Sequence, residues 1–143
     1  MTQDKLDISR ATEAIKDIRF VEALGLLESN LAKDPNHIDS LYLAAVCSRY
    51  LKNYDDSKKY IESLLSKAPD MGRAYQELGH LNRDMGNGEN AIAHYRQACE
   101  LNPALLASWK ALYDYFKRNK NKPAADHAFM QMSTLQSIPS ILL

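Results

Sequence analysis

The residues of this chain that could carry chemistry are four histidines, two cysteines and one pair of adjacent carboxylates. Histidine can ligate a metal or move a proton near neutral pH. Here His37, His80, His94 and His127 are scattered, and none has a second ligand at metal spacing. Cys47 and Cys99 stand 52 residues apart, which matches neither a metal pattern nor a disulfide framework. They read as two reduced, partly buried thiols. Asp55 and Asp56 fall where a helix should begin, so they read as partners of its dipole rather than as an acid–base pair. Tyr113, Tyr115 and Phe116 could stack on nucleic-acid bases. The repeat described below places at least part of this cluster in the inter-helix core instead. The chain has no glycine-rich phosphate loop, no HExxH and no CxxC. The expectation is a protein that is not an enzyme, with no cofactor, no metal and no nucleic-acid partner.

The elements that must position these residues announce themselves by period. Pro35, Pro69 and Pro103 are separated by 34 residues, twice. On that register Ala23, Ser57, Ala91 and Ala125 share a column of small residues. Leu27, Ile61, Tyr95 and Phe129 share a column of large apolar ones. Ala11, Ala45 and Gly79 form another small column, broken by Tyr113, and Leu41, Tyr75 and Trp109 a bulky one. Two helices approach closely only where one side chain is small, and a large residue beside it fills the adjoining space. The i, i+3, i+4 spacing between columns predicts helices over 4–17, 20–33, 38–51, 54–67, 72–85, 88–101, 106–119 and 122–135. Asn53 and Asn87 precede second helices and are expected to cap them. Gly86 should close a turn. Pro123 is tolerable in a first helical turn. The periodic prolines end helices, because the residue before proline avoids the helical region.

The unit from Gly72 to Leu105 carries Tyr75, Leu78, Gly79, Ala91, Tyr95, Ala98 and Pro103 at the offsets of the tetratricopeptide-repeat (TPR) motif, with Asn82 in place of its usual tyrosine. This unit resembles a tetratricopeptide repeat. The second and fourth units match in part, and the first is weakest, with Asp7 and Arg10 at apolar places. The resemblance implies an all-α fold, a right-handed α-solenoid of four helix–turn–helix (TPR) repeats. It implies a single domain over 1–143, with repeats near 4–37, 38–71, 72–105 and 106–139 and an apolar tail at 136–143.

In this family the first helix of each pair lines a concave face. The register places Tyr42, Arg49, Tyr50, Arg73, Gln76, His80, Arg83, Lys110 and Lys117 there as partner-binding residues. The whole face holds eight basic residues (Lys5, Lys16 and Arg118 among them) against four acids, in a chain with 18 of each sign and no net charge. A basic groove with two tyrosines suits an acidic peptide or partner domain. The clamp with which some family members hold a chaperone C-terminal carboxylate uses Lys and Asn, then Asn, then Lys and Arg, where this chain has Ile8, Thr12, Leu43, Arg73 and Glu77. Only Arg73 fits, and Glu77 would repel the carboxylate.

No secretory leader and no stretch of 18 apolar residues is present in the sequence, so a cytoplasmic protein without a membrane partner is expected. The tail beyond Leu135 is apolar. Phe129, Met132, Leu135, Ile138, Ile141 and Leu142 therefore form a candidate oligomer or junction face. Three readings follow. The chain is a protein–protein interaction scaffold, a homodimer or other self-assembly through its C-terminal end, or an N-terminal regulatory and positioning module of a larger enzyme. Arrays of this kind precede catalytic domains in several bacterial proteins, sulfotransferases among them.

Overall fold

The computed structural model describes residues 3–137, with side chains from residue 8 onward. Within that span the chain is eight α-helices: α1 (Gln3–Lys16), α2 (Phe20–Lys33), α3 (Ile38–Tyr50), α4 (Tyr54–Lys67), α5 (Gly72–Asp84), α6 (Gly88–Leu101), α7 (Leu106–Arg118) and α8 (Lys122–Ser137). The predicted helices lie within two residues of these at every end. No strand occurs among the described residues. The calls on Ile138, Ile141 and Leu142 lie outside them.

Each helix pair closes through the same turn. The residue at the bend has positive φ in all four: Ile18 (61°), Lys52 (64°), Gly86 (86°) and Lys120 (57°). The next residue donates its N–H five positions back, as from Arg19 to Ala14 and from Asn87 to Asn82, at 2.7 and 2.8 Å. The bend residue donates three back, as from Gly86 to Arg83 at 3.0 Å. This is the Schellman arrangement, which satisfies the carbonyls left open at a helix end. Gly86 closes its turn as predicted, but the other three positions hold residues with a Cβ.

Asn53 and Asn87 stand at the N-caps, but neither side chain makes the cap hydrogen bond. Their backbone is already committed to the preceding turn. The fourth residue of that column, Asn121, does cap α8, accepting the Ala124 N–H at 3.3 Å. Between pairs, the residues before the prolines are extended, with φ of −138° at Asp34, −132° at Ala68 and −144° at Asn102. Asp34 and Asn102 brace two of these turns by accepting the N–H of Asn36 and Ala104.

The chain divides into two units, residues 1–69 and 70–143. In the first, α1 and α2 form one pair, α3 and α4 the next, and α2 packs on α3 while α1 also touches α3. Its core contains Ala11, Ala14, Ala23, Leu27, Ala44 and Cys47, none more than 2% exposed. In the second, α5–α6 and α7–α8 repeat that arrangement. Its core contains Ala91, Tyr95, Cys99, Leu112, Phe116, Ala125 and Ala128. The small column is buried throughout. Ser57 keeps its hydroxyl satisfied by donating to the Ala45 carbonyl at 2.9 Å.

The large column holds for Leu27, Ile61 and Tyr95, which are at most 1% exposed, and fails for Phe129, which is 53% exposed. The opposing column explains this. A Cβ on Gly79 would meet the Tyr95 ring at 2.6 Å, so that glycine is what admits the ring. The fourth pair has Tyr113 at that place. Its ring meets Phe129 at 5.8 Å between centroids, and Phe129 stays at the surface.

Candidate partner-binding site

The first helices of each unit carry the residues that the register assigns to partner binding. In the first unit that helix is α3. Tyr50 is exposed and its ring stacks parallel on Phe20 of α2, with centroids 4.6 Å apart. The Arg49 guanidinium lies 4.6 Å from the centre of the same ring. Arg49 is itself 6% exposed, so it is not the open surface cation that the register suggests. Its charge is committed within the structure, and the aromatic ring takes up one face of it. Tyr42 is half-buried. Nothing in the spacing of Tyr50 on its own helix points to Phe20, which opens α2.

In the second unit the first helices are α5 and α7, which touch. Gln76 joins them: its Oε1 accepts the Ser108 hydroxyl at 2.7 Å and the Ser108 N–H at 3.1 Å. His80 Nδ1 lies 2.7 Å from the Tyr95 hydroxyl, and the two rings meet edge to face. Gln76 and His80 are thus half-buried structural links first, and their polar atoms are already engaged. Arg73, Arg83, Lys110 and Lys117 are exposed. Arg83 reaches Asp84 at 3.2 Å, and the Lys117 ammonium stands 5.5 Å from the Tyr113 ring centre. The register sets Lys110 in the column of Gln76, and Lys117 in that of Arg83. Counting Arg118, the two helices carry five exposed cations against two exposed acids, Asp84 and Asp114, while Glu77 is buried.

The family model for the tetratricopeptide repeat matches residues 72–105, the α5–α6 pair. Residues 72–105 are a tetratricopeptide repeat, and the chain has the tetratricopeptide-repeat fold. Its other three pairs close through the same positive-φ turn as the matched one. No curated protein matches the sequence. Solved structures do. MamA from Desulfovibrio magneticus RS-1 shares 20% identity over 93% of this chain and 75% of that one, with a TM-score of 0.74. A MamA RS-1 double mutant shares 19% over 95% and 77%, also at 0.74. A mutant of Thermobaculum terrenum O-GlcNAc transferase shares 21% over 81% of this chain but 23% of that one, again at 0.74. At these identities the likeness establishes the helical-repeat fold.

The TPR fold also shows where the chemically capable residues go. Cys47 and Cys99 are buried thiols that form no disulfide. Burial, and then the nearby charge of Glu100, pushes the Cys99 thiol up to about 12. Burial holds the His94 imidazole below its ordinary value. His127 is exposed and meets Trp109 edge to face at 5.5 Å. Among the described residues no three His, Cys, Asp or Glu side chains gather as a metal site, and no helix is long and apolar enough to cross a membrane.

At the C-terminal end, Phe129 is exposed, but Leu135 is 7% exposed and belongs to the core rather than to an open face. Met132 is half-buried. Met130, absent from the predicted set, is 67% exposed and stands beside Phe129.

Proposed function

We propose that this TPR protein is a non-catalytic interaction scaffold that holds an acidic segment of a partner protein against its first helices. The observation that carries this reading is the group of exposed cations Arg73, Arg83, Lys110 and Lys117 on α5 and α7, helices that touch and are tied by Gln76 and Ser108. A pre-set basic surface costs a bound segment little reorganisation and selects its charge. Tyr50, held by Phe20 and Arg49, offers a rigid aromatic contact in the first unit. Captured partner should be released progressively as salt is raised, and Arg73→Ala should weaken the complex by about 1 kcal/mol without changing the helical content. A complex indifferent to both would overturn the basic-surface reading.

A second reading has its own observation. Phe129 and Met130 are two large apolar side chains left exposed on α8. Such a pair supports self-association through that helix. Phe129→Glu should then shift sedimentation toward the monomer while leaving binding on α5 and α7 intact. A monomer at all concentrations excludes it.

A further inference from the structure

The second unit has a cleft of about 350 Å³ between α6, α7 and α8. Trp109, Leu112 and Phe116 form its walls, Ala128 its floor, and Arg96 and Glu100 stand on its polar side. Its size is at the lower end of the range for binding pockets.

The repeat register explains why the cleft is open. Two periods earlier than Ala128 lies Tyr60, and two periods earlier than Arg96 lies Glu28. In the first unit, the half-buried Tyr60 packs against the core cluster of α1, α2 and α3. Burial, and then the nearby charge of Glu28, raises its hydroxyl above the ordinary tyrosine value. The fold therefore accommodates a phenol at this place, seated against the core and near a carboxyl side chain on the preceding second helix. The second unit lacks that ring because Ala128 ends at its Cβ. The walls have at the same time become aromatic, with Trp109 and Phe116 where the first unit has Leu41 and Ser48.

We infer that this cleft is a docking site for a tyrosine side chain presented by a partner polypeptide. The ring would lie among Trp109, Leu112 and Phe116, which are already arranged as apolar and aromatic walls. The polar side carries both signs. Arg96, whose guanidinium sits 5.0 Å from the Phe116 ring centre, can only donate, and the Glu100 carboxylate only accepts. A phenol hydroxyl does both, so it can face the two together. A phenylalanine offers neither a donor nor an acceptor to this side, and a carboxylate meets repulsion from Glu100. The site lies on α6 and α8 as well as α7, and is separate from the cations of α5.

Trp109 is the sole tryptophan and lines the cleft, so its fluorescence reports occupancy directly. The test is a titration of the full chain with N-acetyl-tyrosinamide and, separately, with N-acetyl-phenylalaninamide. The tyrosine probe should give a saturable change, with the phenylalanine probe about 2- to 10-fold weaker, the worth of one hydrogen bond. Ala128→Tyr, which supplies the ring from within as Tyr60 does, should abolish the response while circular dichroism stays helical. The exposed pair Arg96→Ala and Glu100→Gln, which threatens the fold little, should erase the preference between probes. A response that does not saturate overturns the proposal. So does equal binding of both probes to the wild type, or a response that survives Ala128→Tyr in a folded chain.

Discussion

The bend residues show how one conformation is met by unequal chemistry. Ile18, Lys52 and Lys120 occupy the left-handed region that only Gly86 enters without cost. For a residue with a Cβ that region costs roughly 1–2 kcal/mol, and a branched Cβ is the worst case. Ile18 is 74% exposed, so its side chain contributes little burial in return. Ile18→Gly should therefore stabilise the chain by about 1 kcal/mol in chemical denaturation, and Gly86→Ala should destabilise it by a similar amount. Gly79 tests the opposite demand. Its backbone is ordinary, but a Cβ would strike the Tyr95 ring. Gly79→Ala should cost about 1–3 kcal/mol through overpacking. Equal stability would mean that the ring moves aside freely.

At the scale of the element, the helices were legible because the 34-residue period fixes helix, turn and proline together. One strong unit, 72–105, then set the frame for three weaker ones. Chemistry within the elements was less legible, because it depends on partners from other helices. Arg49 reads as a surface cation on its own helix and is buried under constraints that its spacing does not express. Gln76 and His80 read as groove residues, and what engages them (Ser108 and Tyr95) lies on α7 and α6. Asn53 and Asn87 have the right type and place for capping, and the preceding turn leaves their side chains no role there. Phe129 was assigned by column, and Tyr113 on the facing helix decided its exposure. Helix α6 gives a prediction at this scale, since it carries two groups whose titration is shifted by burial. Its His94 is held below the ordinary histidine value by burial. The unfolded chain therefore takes up the proton first, and stability is lost as pH falls below about 6.5. Its Cys99 thiol is raised to about 12. The unfolded thiol ionises first, so stability is also lost as pH rises above about 8.5. Denaturation midpoints should thus form a plateau near neutrality, and His94→Gln should flatten the acid limb. Native Cys99 should alkylate at least about 100-fold more slowly than in denaturant. Equal rates would show that α6 opens readily.

At the scale of the molecule, a chain with no net charge carries a local excess of exposed cations. The second unit concentrates exposed cations on α5 and α7, and exposed apolar side chains on α8. The scaffold account assigns the first to a partner and keeps the second for self-association. The most direct measurement is an affinity capture from host lysate read by mass spectrometry. Wild type would be run beside an Arg73→Ala, Arg83→Ala, Lys110→Ala variant whose helicity is verified by circular dichroism. These three side chains are exposed, so their loss should spare the fold. The account predicts a partner with an acidic segment that wild type retains and the triple variant loses. A partner retained equally by both would contradict it and move the binding surface away from the first helices.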